Sequence, residues 1–149
     1  MSHIKFASFT IVIAATFALV GCGGAIGSFE GIDPRVTVIS DLQSKSFRFD
    51  WFPVGNPIKD SLGSFSLEFG VFDSQNAAPF TIVEDDGGSA TGSAQLMGDN
   101  LQFTIQAVAT GSVFAAGETR LLKIESDQND GRIRFTDQGT GREVTSSPQ

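Results

Sequence analysis

The chain of 149 residues has no tyrosine, one histidine, one cysteine and one tryptophan. The histidine is His3 and the cysteine is Cys22, both near the start. Beyond Cys22, therefore, no disulfide, no Ser-His-Asp triad and no zinc site of nitrogen and sulfur ligands can be assembled. Any catalysis there would have to rest on carboxylates, lysine or a bound cofactor, and no cofactor-binding motif is present. Basic residues are scarce as well, ten Lys and Arg against seventeen Asp and Glu, for a net charge of −7. That balance opposes binding to nucleic acid or to anionic lipid surfaces, both of which attract clustered Lys and Arg. The apolar run from 6 to 20 has 15 residues, fewer than the roughly 20 a membrane-spanning helix needs.

What is present begins with that run. It follows Lys5 and ends in small residues, the layout of a secretory signal. It closes on Leu19-Val20-Gly21-Cys22, which resembles the lipobox of bacterial lipoproteins. The resemblance implies that the signal, residues 1–21, is cut before Cys22. A diacylglyceryl group on the Cys22 sulfur and an acyl chain of the palmitate kind on the new amine would follow. One acyl chain holds a protein only marginally, whereas two or more at about 0.8 kcal/mol per buried methylene hold it firmly. Gly23 follows the cysteine, in place of the Asp that retains such lipoproteins at the inner membrane. By the resemblance the protein is expected at the outer membrane of the cell envelope, its domain in the periplasm or at the surface.

Lys5 is the one charged residue ahead of Cys22, so nine basic and seventeen acidic residues follow it, a balance of −8. Residues 22–149 suffice for one domain and are too few for two good cores. Gly23-Gly24-Ala25-Ile26-Gly27-Ser28 reads as a flexible tether, making 22–32 a lipidated linker. The domain is expected over 33–138, with a tail at 139–149 containing one weak strand, Glu143-Val144-Thr145.

Alternation at period two recurs along the domain and predicts half-buried strands. It begins with Val36 and Val38 and continues in Phe47, Phe49 and Trp51, with Ser46, Arg48 and Asp50 on the other face. It returns in Phe65, Leu67, Phe69 and Val71, in Phe80 and Ile82, and in Leu101, Phe103 and Ile105. Gly55-Asn56-Pro57, Asp73-Ser74-Gln75-Asn76, Asp85-Asp86-Gly87-Gly88 and Gly98-Asp99-Asn100 separate the runs with turn-forming residues. Glu118 to Glu125 is made of good helix formers. The turn signal Asp127 to Gly131 and the alternating Arg132-Ile133-Arg134-Phe135 that follow favour a hairpin, with Leu122, Ile124, Ile133 and Phe135 facing the core.

The expected fold class is therefore all-β, a small antiparallel β-sandwich. The run Pro34-Arg35-Val36-Thr37-Val38, then Ser46 to Val54 with Trp51 and Pro53, resembles the opening of a fibronectin type III domain, within the immunoglobulin-like sandwiches. Leu101 to Ala109 is similar to that fold's penultimate strand, although the tyrosine expected there is missing and an extra hairpin follows residue 119. The alternative is an up-and-down β-barrel of the lipocalin type, because Ala90 to Phe103 reads as two strands about a tight turn. Eleven phenylalanines remain after those of the signal. In a small β-domain such rings are expected to fill the core rather than line a pocket.

Two acidic clusters could offer oxygens to calcium: Asp85 and Asp86 after Glu84, and Asp127, Asn129 and Asp130 before Gly131. Neither has EF-hand spacing. Glu68, Glu84, Glu118 and Glu125 are the acids available to a glycan hydrolase, with alternation turning Glu68 outward. The leading expectation is a non-enzymatic binding module, held to the membrane by lipid on Cys22 and contacting an envelope protein or a glycan. A carrier of small apolar ligands or lipid is the alternative, and a carboxylate-based glycan hydrolase stands behind both.

Overall fold

In a computed structural model the fold is described for residues 33–50, 57–59 and 63–147. The described chain is all-β apart from one helical turn. Its elements are β1 (Pro34–Val36), α1 (Ile39–Leu42), β2 (Ser46–Phe49), β3 (Phe65–Phe69), β4 (Ala77–Glu84), β5 (Ser89–Met97), β6 (Asn100–Val108), β7 (Thr119–Asp127), β8 (Ile133–Asp137) and β9 (Glu143–Thr145).

β2 to β9 follow one another in a single antiparallel sheet, each strand hydrogen-bonded to the next in sequence. The sheet curls until its two ends nearly meet: just past β9, the Ser147 N–H donates to the Arg48 carbonyl of β2 at 2.7 Å. The Ser147 hydroxyl also bonds the Asp50 carboxylate. The result is a nearly closed, barrel-like sheet. β1 pairs with the last residues of β7, Val36 opposite Glu125 and Pro34 opposite Asp127, beyond the part of β7 that pairs with β6.

Alternation sends one set of side chains inside. Phe47, Phe49, Phe65, Leu67, Phe69, Phe80, Ile82, Leu101, Phe103, Ile105, Leu122, Ile124, Ile133, Phe135 and Val144 are all buried. The rings touch in a connected set. Phe103 lies 4.8 Å from Phe80, 6.0 Å from Phe69 and 5.7 Å from Phe135, measured between centroids. Phe49 lies 5.0 Å from Phe65 and 5.7 Å from Phe135. At roughly 1.5–3 kcal/mol for each large apolar side chain removed from water, this cluster is the main source of stability.

Size complementarity lets so many rings fit. Across the β4–β5 pair, Gly92 stands opposite Phe80, flanked on its own strand by buried Ala90 and Ala94. A Cβ on Gly92 would lie 2.0 Å from the Thr104 carbonyl and 2.8 Å from the Phe80 ring. The β5–β6 register shifts between Thr91 and Gly92, a bulge at a position where only glycine fits.

The stretch 119–125 is β strand, as the hairpin reading requires, and Glu143–Thr145 forms β9 within the sheet. Three local expectations change. Val36 and Val38 are 60% and 48% exposed while Thr37 is buried, because the Thr37 hydroxyl hydrogen-bonds that of Ser126 at 2.8 Å. Val71 is 66% exposed: β3 ends at Phe69, and Phe72 turns in instead. The helical turn α1 has no counterpart in the sequence reading. Asp41 accepts the Val38 N–H at 2.8 Å and pairs with Arg35, while Leu42 is fully buried. Trp51 lies outside the described residues.

Candidate functional site

Leu19, Val20, Gly21 and Cys22, the residues that resemble a lipobox, lie outside the described residues. The two acidic clusters fall at opposite ends of the barrel-like sheet. Asp85 and Asp86 are in the β4–β5 turn, whereas Asp127, Asn129 and Asp130 are at the β7–β8 turn.

Each cluster is engaged by the protein itself. Asp85 takes a two-pronged contact from the Arg48 guanidinium, Nη1 to Oδ1 at 2.7 Å and Nη2 to Oδ2. The hydrogen bonds from Arg48 hold the Asp85 carboxyl below its ordinary range. Asp86 accepts the Gly88 N–H at 3.2 Å, bracing its own turn. Asp127 accepts the Asn129 N–H at 2.9 Å and pairs with Arg132. That backbone bond, over the opposing effect of burial, keeps the Asp127 carboxyl below its ordinary range. Asp130 accepts the Arg132 N–H and sits 2.7 Å from Arg132 Nε. Among the described residues no group of three or more His, Cys, Asp or Glu is arranged to share an ion. The turns are built as self-capped loops with neutralising arginines.

The four glutamates are dispersed. Glu68 is exposed on the outer face of β3. Glu125, on the outside of β7, pairs with Arg134 and with Lys123. Burial opposes its ionisation, yet hydrogen bonds from Arg134 and Lys123 prevail and its carboxyl lies below the usual range. Glu118 pairs with Arg120 before β7. Glu84 is the exception in burial: its carboxylate points inward and meets Lys59 Nζ at 2.7 Å, the side chains 0% and 1% exposed. Its Oε1 accepts the Ser112 hydroxyl at 2.8 Å and the Val113 N–H at 3.3 Å, so Glu84 ties the β6–β7 connection to the end of the sheet. The ammonium also lies 5.9 Å from the Phe65 ring centre, within cation–π range. Strict alternation through Phe80 and Ile82 would have placed Glu84 inside. Nothing local marks Lys59 as its partner.

Beside this pair, Ile58 and Phe114 close over the end of the core. A cavity of about 10 Å³ remains among Ile58, Phe103, Ile105, Phe114 and Leu122, no larger than one water requires. At the other end an open groove of about 360 Å³ is lined by Ser44, Lys45, Ser46, Asp130, Arg132 and Ser147, among others.

The outside of the sheet divides by charge. β2, β3, the latter half of β7, β8 and β9 present Arg48, Glu68, Lys123, Glu125, Arg134 and Glu143. β4, β5, β6 and the start of β7 present no ionisable side chain between their buried residues. Rows of neutral residues cross the strands there: Pro79, Ser93, Thr104 and Thr119 form one, and Ala77, Gln95, Gln102 and Leu121 another. Sequence alternation contained this pattern, but only the register shows that the neutral positions adjoin.

Comparison with protein families, with curated proteins and with solved structures returned no match.

Proposed function

We propose that this protein is a lipid-anchored envelope lipoprotein whose β-domain works as a non-enzymatic binding module through its outer surface. The anchor rests on the sequence, where signal layout and lipobox coincide at Leu19 to Cys22. The choice of module over carrier is supported by one structural observation. The interior is occupied by phenylalanine rings in mutual contact, and the cavity beside Phe103 and Phe114 holds about 10 Å³, whereas sites for drug-sized ligands run to about 300–1,000 Å³. The groove of about 360 Å³ at the other end reaches that volume, but it is open and lined largely by polar residues such as Ser44, Lys45, Asp130 and Arg132, so among the described residues the loops, strand edges and outer faces are the working surface.

For the fold, our reading is the closed up-and-down barrel over the two-sheet sandwich. It is supported by the sequential strand order and by the Ser147 to Arg48 hydrogen bond between the two ends of the sheet.

The test is fractionation of cells carrying the full chain or its Cys22→Ser variant. The native chain is expected in the outer-membrane fraction, with the variant released or retained with its signal uncut. Equal membrane association of a processed, unlipidated variant would overturn the anchor. Envelope material captured by the native protein should contain a stoichiometric protein or glycan. Turnover of a glycan with no such capture would move the reading to an enzyme.

A further inference from the structure

We propose that the open groove beside β2 receives an extended, acidic peptide segment of a partner protein as an added strand. This site rests on the binding-module reading and gives it a place and a partner chemistry. Between antiparallel strands, residue pairs that exchange hydrogen bonds alternate with pairs that exchange none. The Lys45 carbonyl accepts the Phe69 N–H at 3.0 Å, so at period two the bonded pairs are Phe47 with Leu67 and Phe49 with Phe65. Ser46 and Arg48 therefore turn their backbone groups to the other edge of β2, where the Arg48 carbonyl accepts the Ser147 N–H at 2.7 Å. The Ser46 N–H and carbonyl face the same way, on an exposed residue, and have no hydrogen-bond partner among the described residues.

The groove continues the place of β9. That strand lies between β8, with which it pairs from Glu143 to Thr145, and β2, which its extension reaches at Ser147. Past Ser147 the two walls run on, Ser44, Lys45 and Ser46 on one side and Arg132 with Asp130 on the other, around a space of about 360 Å³. Neighbouring strands stand about 4.8 Å apart, so the strands flanking β9 are about 9.6 Å apart and leave room for one strand between them. Pro148 comes next in the chain, and proline has no N–H with which to extend a ladder. The donor and acceptor of Ser46 are matched by the acceptor and donor of one facing peptide residue, a reciprocity that sugar hydroxyls do not repeat.

Charge selects the side chain. Arg132 on one wall is already matched by Asp127 and Asp130. Lys45 on the other wall has no carboxylate partner among the described residues; Asp41 feels its charge but is held by Arg35. An acidic side chain on the incoming strand supplies the partner that Lys45 lacks, while main-chain bonds to Ser46 hold the strand in line. Two backbone bonds and one exposed ion pair make a weak, reversible site, with a dissociation constant on the order of 0.1–1 mM.

Amide NMR of the isotope-labelled full chain in mild detergent, titrated with a blocked pentapeptide of alternating threonine and valine about a central glutamate, provides the test. Saturable shifts are expected at Ser46, Arg132 and Ser147. A peptide methylated on every backbone nitrogen keeps its charge but donates no hydrogen bond, and should shift none of them. Lys45→Glu should weaken the glutamate peptide about threefold to tenfold, and a central lysine in the peptide should restore binding. Ser46→Pro removes the edge N–H, a change strand edges tolerate, and should weaken binding about fivefold. Should that variant fail to fold, judged by its amide spectrum, Lys45→Glu carries the test. No shifts at about 10 mM peptide, equal binding of the methylated peptide, or tighter binding of a uronic-acid trisaccharide at the same amides would overturn the proposal. So would binding seen only after residues 148 and 149 are removed, because the chain's own continuation would then hold the groove. An envelope protein captured equally by the native chain and by the folded Lys45→Glu, Ser46→Pro double variant would overturn this site alone and leave the binding module standing.

Discussion

Lys59 and Glu84 meet at 2.7 Å with neither side chain more than 1% exposed, and that geometry makes them interdependent. Removing both charges from water costs several kcal/mol, which mutual attraction and the Ser112 and Val113 hydrogen bonds to Glu84 offset. Losing one partner leaves the other buried and uncompensated. Lys59→Met should therefore lower the unfolding free energy by about 3–5 kcal/mol. Lys59→Met with Glu84→Gln should lose clearly less than the two single variants summed, since the amide keeps an acceptor for Ser112 without the stranded charge. Denaturant unfolding of the four proteins checks this, and additive losses would show that the two groups do not communicate. The same contact marks a limit of sequence reading. Alternation from Phe80 and Ile82 makes Glu84 an inward position, but in the sequence it adjoins Asp85 and Asp86 and reads as part of one acidic run. Its partner lies 25 positions earlier in the chain, in a segment with no periodicity.

Among the elements, β5 shows how a small-residue strand makes room for large neighbours. Ala90, Gly92 and Ala94 line its inner side, and the rings of Phe80 and Phe103 fill the space they leave. Gly92→Ala would set a methyl 2.0 Å from the Thr104 carbonyl, and backbone cannot step aside as a flexible side chain can. Overpacking typically costs about 1–3 kcal/mol. The expectation here is the upper end, about 3 kcal/mol, read from thermal or denaturant melts. A loss below about 0.5 kcal/mol would show that the bulge relaxes freely. Most strands were legible because one buried face imposes period two: Phe47 and Phe49, Leu101 to Ile105, and the hairpin pairing Leu122 and Ile124 with Ile133 and Phe135. Where nonlocal bonds decide, alternation failed. Thr37 turns inward in place of Val36 and Val38 because its hydroxyl hydrogen-bonds that of Ser126, 89 residues away. The single turn α1 is too short to carry a periodic signal, and its ordering by Arg35 and Asp41 becomes evident only in three dimensions.

At the scale of the molecule, the chain encloses its apolar residues and distributes its charge unevenly outside. The acidic turns, plausible as cation sites by composition, are occupied by Arg48 and Arg132; the first pairing depends on the fold, Arg48 and Asp85 being 37 residues apart, whereas Arg132 stands five residues from Asp127 in the same turn. The neutral face of β4 to β6 was implicit in the sequence but required the strand register to become a surface. With the lipobox-like residues Leu19 to Cys22, these features are the basis of the proposal of a domain held at a membrane and acting by contact. Native mass spectrometry of the full-length product, extracted gently from its own membrane, tests that account most directly. The account predicts a chain beginning at Cys22 with the mass of its acyl groups, alone or bound to protein, and no further small-molecule increment. A chain retaining residues 1–21, or one carrying a stoichiometric small apolar ligand, would contradict it.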